Sequence, residues 1–283
     1  MAMAHASLLD DRAVIALCGP QTRDFLQGLI TNDMASCAEG RALYAALLTP
    51  QGKILFEFFI VHETENRFLL DCATARTADL VKRLSMYRLR AKIDIAVQPE
   101  LAVAAVWADD DVLPPLPVGA ITYGDPRLPD LGSRMIGTRD VLARALAGLP
   151  GGDYAAHRVG LGVPDSADLP SDSVFALDAG FEELNGVNFK KGCYVGQEVT
   201  SRMKHRATAR RRFVIVESTD ALPAAGTSIE SEGREIGILA SGQTNQALAL
   251  VRLDRLDEAQ TAKAPITAAG RPLTLRKAPW RHV

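Results

Sequence analysis

Two apolar runs, residues 42–48 and 53–61, flank Thr49-Pro50-Gln51-Gly52. Proline presets φ at the second place of a tight turn and glycine takes conformations other residues avoid, so this stretch predicts a β-hairpin. Phe56, Phe58 and Phe59 suit a pleated strand better than a helix. Around the hairpin lie further short runs. Residues 14–18 read as a strand closed by Gly19-Pro20, and 22–30 as a helix carrying Phe25, Leu26, Leu29 and Ile30 at helical spacing. Residues 67–72 give a third strand and 75–90 an amphipathic helix with Leu80, Leu84 and Tyr87 on one stripe. Strands over 92–97 and 101–107 follow. Strands and helices mix without strict βαβ alternation, so the expected class is α+β rather than a doubly wound sheet.

Residues 109–130 read as loop, with the Asp109-Asp110-Asp111 triplet and prolines at 114, 115, 117, 126 and 129. The triplet reads as a solvated turn, because divalent cations take more oxygen ligands than one triplet supplies. Short helices are expected over 141–149 and 154–160. From Phe213 the texture changes to short strands, 213–217, 228–231, 235–241 and 246–252, separated by Pro223, Gly226, Gly233 and Gly242. With 265–267 and 273–276 they predict a small antiparallel barrel. The expected division is therefore 1–207, an α+β region, and 208–283, a β-barrel domain.

A net charge of −2 gives no general pull towards nucleic acid or anionic lipid. The four cysteines, Cys18, Cys37, Cys72 and Cys193, are far apart with no C-x-x-C pair, which fits neither a disulfide framework nor a local zinc site. No charged n-region precedes an apolar core at the start, and no apolar run is long enough for a bilayer. The expectation is a cytoplasmic protein without a membrane partner or a permanently bound metal.

The densest chemistry lies in Lys190-Lys191-Gly192-Cys193-Tyr194-Val195-Gly196-Gln197-Glu198-Val199-Thr200-Ser201-Arg202. Gly192 and Gly196 permit positive φ, so the stretch reads as a binding loop rather than a helix interior. Lys190 and Lys191 would favour the thiolate of Cys193, the reactive form. Gln197 and Glu198 present amide and carboxylate groups suited to a heterocycle with several N–H and C=O groups. The alternative is a glycine-punctuated turn around an inert cysteine, with the polar side chains bonding their own backbone. Residues 202–212 add seven basic side chains, counting His205. They read either as a solvated linker or as a weak contact for RNA, phosphate or a polyglutamate tail. Thr31-Asn32-Asp33 suits a turn or a ligand contact.

The run Lys191-Gly192-Cys193-Tyr194-Val195-Gly196-Gln197-Glu198 resembles the signature of YgfZ-type folate-binding proteins. These are iron–sulfur cluster assembly or repair factors in the glycine-cleavage T-protein (aminomethyltransferase-like) superfamily. Residues 25–33, 47–53, 87–93 and 158–164 also resemble superfamily segments. The resemblance implies a T-protein-like scaffold with a folate channel in the N-terminal region and a C-terminal antiparallel β-barrel. It implies tetrahydrofolate or a derivative as cofactor, and iron–sulfur client or assembly proteins as partners. Cys193 and Lys191 become the expected working residues. Asn32, Tyr87, Asp178, Tyr194, Gln197, Glu198 and Arg202 become the expected folate contacts. The thiol is expected to face the pterin cavity.

The chain departs from that pattern twice. Aminomethyltransferases carry two aspartates where this chain has Phe56 and Glu57, so the carboxylate that orients folate for methylene transfer is missing. Asp178 stands where relatives have a longer Glu or Gln. Folate-dependent one-carbon transfer, to an amine or to tRNA, is thus the second reading. A cysteine hydrolase is the third, and needs His5, His62, His157, His205 or His282 beside Cys193.

Overall fold

A computed structural model describes residues 4–108, 119–206 and 210–280. The acidic triplet, Pro114, Pro115 and Pro117, the expected boundary at 207/208, and His282 lie outside the described residues. The predicted hairpin forms from Leu43–Leu48 and Ile54–Thr64. It extends into a five-stranded antiparallel sheet in the order Leu43–Leu48, Ile54–Thr64, Arg67–Ala73, Arg12–Cys18, Asp94–Val97. Successive side chains on a strand point to opposite faces, and here both faces are covered. Ile15, Leu17, Phe58 and Ile60 pack under the helices Thr22–Gln27 and Thr77–Arg88, whereas Val14, Ala16, Phe59 and Val61 enter a central core. Burial on two sides is why 54–61 reads as a continuous apolar run rather than an alternating one.

A second sheet, in the order Ala4–Leu8, Leu101–Ala108, Ser133–Thr138, Ile121–Gly124, is also antiparallel. Ala102, Ala104, Val106 and Met135 pack with Leu142 of the helix Arg139–Leu146, while Val103, Ala105, Trp107 and Ile136 join the central core. Three of its strands, Ala4–Leu8, Ile121–Gly124 and Ser133–Thr138, are absent from the sequence reading. They are short, and Gly, Ser and Thr dilute their apolar signal.

The third sheet has seven strands, in the order Arg271–Pro272, Ile266–Ala268, Ser228–Ser231, Arg234–Gln243, Gln246–Arg252, Arg211–Glu217, Thr274–Arg276. Its two edge strands are separated in sequence by Leu273 alone, so the sheet rolls into a nearly closed antiparallel barrel. Val214 and Val216 fill the barrel with Ile229, Leu239 and Val251, while Phe213, Ile215 and Leu248 on the other face dock against the central core. The helix Leu253–Thr261, which the sequence reading missed, packs Leu256 and Ala259 onto the barrel.

Candidate functional site

The signature is half turn, half helix. Residues 190–196 are irregular, and Gln197–Arg206 form a helix that absorbs Gln197, Glu198, Arg202 and part of the basic strip. This corrects the expectation of a loop through residue 202. Gly192 has no positive φ, but Gly196 sits at φ +84°. A Cβ on Gly196 would lie 2.5 Å from the Thr49 carbonyl oxygen, and one on Gly52 would lie 3.1 Å from Val199 Cβ. Two glycines thus press the signature against the hairpin turn, which is a packing demand.

Cys193 is exposed, whereas Cys37 and Cys72 are buried and their thiols are pushed up to about 11, chiefly by burial. Lys191 is buried, and its Nζ donates to the Gln27 and Ile30 carbonyls at 2.6 and 2.7 Å. Burial lowers its pKa to about 8, with Asp33 acting against the shift. The Lys191 ammonium also lies 5.0 Å from the ring centroid of buried Tyr194. The structure therefore places this ammonium at the end of the helix Thr22–Gln27. Gln197 is half-buried, Glu198 is exposed, and Arg202 Nη1 is 4.0 Å from Glu198 Oε1. Tyr87 is half-buried against the core under the five-stranded sheet. Asn32 donates to the Tyr44 and Asn185 carbonyls at 2.8 and 2.7 Å, and lines a cavity of about 860 Å³ that also includes Lys190.

Asp178 lies in a different place. It lines a cavity of about 360 Å³ with Lys53, Val174, Phe175, Met203, Arg210, Arg211 and Arg252. Its carboxylate is buried, and Oδ1 accepts no hydrogen bond among the described residues; Arg212 Nη1 is 3.8 Å away. Burial raises the Asp178 pKa, while the Arg211 and Arg210 backbone N–H groups and the Arg212 guanidinium act against the rise. An unsatisfied buried acceptor is costly and calls for a donor. Met203 belongs to the signature helix, so one element carries Cys193 before its start and walls the Asp178 cavity from its last turns. Cys193 does not line that cavity, so the expectation of a thiol facing it is corrected: the sulfur opens to the surface.

The sequence reading missed a third region. Asp71, fully buried, accepts from Arg12 Nε at 2.6 Å, from Arg134 Nη2 at 2.7 Å and from the Tyr123 hydroxyl at 3.0 Å. Asp125 is held by Arg127 Nη2 at 2.7 Å and by the Tyr154 hydroxyl at 3.1 Å. Burial acts to raise both carboxyl pKa values, and the guanidiniums outweigh it, leaving both below the usual range. Glu57 accepts from Arg12 Nη1 at 2.9 Å and from Ser166, so the second acidic position after the hairpin is tied into this network. Phe56 offers a ring to Arg76, whose guanidinium carbon lies 4.8 Å from its centroid. Arg158 reaches Asp168 at 2.7 Å and Ser241 of the barrel at 3.1 Å. A cavity of about 640 Å³ opens beside Arg12, Arg127, Arg134 and Arg158. Charges at inward positions of apolar strands, such as Asp71 within Leu69-Leu70-Asp71-Cys72, were the signal available in the sequence.

Of the histidines named for a hydrolase, the four within the described residues are engaged elsewhere or open to solvent. His5 and His157 stack on Trp107, His62 meets Phe68 edge-on, and His205 is exposed on the signature helix. Among the described residues no group of three or more His, Cys, Asp or Glu is placed to hold a metal ion, and no helix is long and apolar enough to cross a membrane.

Residues 6–107 match the GCVT N-terminal domain, and residues 210–282 match the CAF17 C-terminal beta-barrel domain. The human iron–sulfur cluster assembly factor IBA57, mitochondrial, is 34% identical over 285 residues, covering 88% of this chain and 77% of the relative. The chain belongs to the IBA57 family of iron–sulfur cluster assembly factors. The mouse member is 33% identical, covering 91% of this chain and 78% of the relative. The crystal structure of aminomethyltransferase T of the glycine cleavage system from Bartonella henselae superposes with a TM-score of 0.76 at 18% identity, covering 99% of this chain and 87% of that one, which establishes the T-protein fold. The cytoplasmic placement expected from the sequence does not stand, because the IBA57 relatives from human, mouse and fungi are named mitochondrial.

Proposed function

We propose that this chain serves iron–sulfur cluster assembly by offering Cys193 to a client or assembly protein, with a reduced folate held apart from the thiol, in the Asp178 cavity. The observation that carries the reading is the exposure of Cys193 while Cys37 and Cys72 are buried. A thiol that must reach another protein's cluster has to be accessible, and the signature keeps this one at the surface. In cells lacking the native protein, Cys193→Ser is expected to abolish support of a cluster-dependent enzyme. Undiminished activity would overturn the role of the thiol.

The folate-binding character of the YgfZ-type proteins that the signature resembles is the finer part of the proposal. Among the described residues Asp178 Oδ1 has no hydrogen-bond donor, which suits the N–H groups of a pterin. Lys53, Arg210, Arg211 and Arg252 line the same cavity and suit the carboxylates of a glutamyl or polyglutamyl tail. The volume lies within the usual range of small-molecule pockets. Tetrahydrofolate, when bound, supplies a carrier of one-carbon units. This chain's residues bind and orient it, and Phe56 leaves no carboxylate to direct methylene transfer. Titration with reduced folates tests the site: Asp178→Asn should weaken binding at least tenfold, whereas Glu198→Ala, at the exposed end of the helix, should leave it unchanged. Equal affinities in wild type and Asp178→Asn would refute the cavity assignment.

A further inference from the structure

From Leu80 to Ile93 the chain carries five cations, Lys82, Arg83, Arg88, Arg90 and Lys92, and no acidic residue. The structure places this stretch on the last turns of the helix Thr77–Arg88 and the turn that leads into the strand Asp94–Val97. That strand is an edge of the five-stranded sheet. Four large hydrophobic side chains are exposed among the described residues, and three belong here: Met86 at 62%, Leu89 at 87% and Val97 at 43%. Met86 stands on the last helical turn and Leu89 at the cap that follows it, three residues apart in sequence.

The backbone at Leu89 adds a second observation. It caps the helix at φ 44° and ψ −105°, outside the regions a leucine normally adopts. The turn is fixed around it: Ala91 N–H donates to the Arg88 carbonyl at 2.7 Å, Lys92 N–H to Gln21 Oε1 at 2.7 Å, and Arg88 Nη1 to the Ile93 carbonyl at 3.4 Å. A strained residue whose side chain gains no burial in its own chain points to a role outside it.

We infer that this helix end is a docking surface for a protein partner, one that presents an acidic segment with an apolar socket for Met86 and Leu89. Charge decides the sign of the partner, because five cations flanked only by Asp79 and Asp94 leave an excess of positive charge that favours carboxylates. The fixed geometry decides its class. An anionic membrane makes no demand on the backbone angle of one leucine, whereas a shaped socket does. The inference is independent of the Cys193 and Asp178 readings, since none of these residues touches either site.

The test places a photoreactive benzophenone side chain at position 86 of the full chain in cells, irradiates, and sequences the crosslinked peptides. The expected products are protein segments with net negative charge around an apolar residue. Leu89→Asp should cut their yield at least tenfold, and so should Arg88→Glu combined with Arg90→Glu. Leu89→Gly supplies a separate check: glycine tolerates the backbone angle, so Tm should rise while the crosslink is still lost. Crosslinks confined to lipid or nucleic acid, segments without a charge bias, no crosslink at all, or a yield indifferent to Leu89→Asp would each overturn the inference. So would flotation of the purified protein with phosphatidylserine vesicles that depends on Leu89.

Discussion

Two charge-rich regions of this molecule follow opposite plans. Around Asp71 and Asp125, guanidiniums and carboxylates are buried and hydrogen-bonded on nearly every side. Along the signature, Cys193, Glu198, Arg202, Lys204, His205 and Arg206 face solvent. A buried ion pair is strongly coupled to the fold, because removing one partner strands the other charge in a low dielectric. An exposed charge is coupled to almost nothing in its own chain and is free to meet another molecule. The difference separates what holds this protein together from what it offers outward.

The strongest way to break that separation is Asp71→Ala. It leaves Arg12 and Arg134 without their shared carboxylate, and unfolding by denaturant should show a loss of about 3–5 kcal/mol. Cys193→Ser should stay within about 0.5 kcal/mol of wild type in the same assay. Equal effects would mean that the two regions are not distinct in kind. Acid probes the same cluster without mutation. The Asp71 and Asp125 pKa values are depressed in the folded chain, so their stabilisation is complete above the ordinary carboxylate pKa and is lost as pH falls through the lowered folded values. A urea-midpoint series should fall steeply as pH drops below the ordinary carboxylate pKa towards those lowered values, and Asp71→Ala should flatten the fall.

Next in size is Gly196→Ala. The new methyl group would meet the Thr49 carbonyl at 2.5 Å, at a φ of +84°, and a cost of about 2 kcal/mol is expected from the melting curve. Gly192→Ala meets no atom within 4 Å of the new Cβ and should be nearly neutral. The pair tests whether the signature glycines serve packing or flexibility.

The sequence shows the parts of this molecule that depend on local pattern. The hairpin turn is marked by Pro50 and Gly52, the helix Tyr154–Gly160 lies where periodicity puts it, and four barrel strands are bounded by their glycines and prolines. The strands Ala4–Leu8 and Ser133–Thr138 depend on partners far away in sequence, which no local window contains. The site divides in the same way. Cys193 and Asp178 are legible from the signature and its resemblance, but their separation is not. It depends on Gly196 turning the chain so that the thiol stays outside while Met203 reaches the cavity. The Asp71 cluster is the least legible, because its members come from residues 12, 57, 71, 123 and 134 and meet only in three dimensions.

Folate affinity should also depend on pH if Asp178 accepts from the pterin. The carboxyl pKa is raised by burial, so acidification should protonate Asp178 and weaken binding at a midpoint above that of an ordinary carboxylic acid. The dependence should vanish in Asp178→Asn. A profile unchanged by that substitution would assign the titration to another group.

The smallest expected effect is at Arg202. Its guanidinium is half exposed and stands 4.0 Å from Glu198, itself 89% exposed, one helical turn earlier. Solvent screens such a pair, and holding two long side chains in register offsets much of the attraction. Arg202→Ala should therefore leave the melting temperature within error at physiological salt. Its cost should appear only if a partner covers this end of the helix, where the same charge would be desolvated and its loss felt as faster dissociation. Measuring the variant twice, alone by melting and in cells by rescue of a cluster-dependent enzyme, separates the two cases. A stability loss without a rescue defect would place Arg202 with the buried cluster in kind. A rescue defect without a stability loss would place the signature helix at the contact with the client.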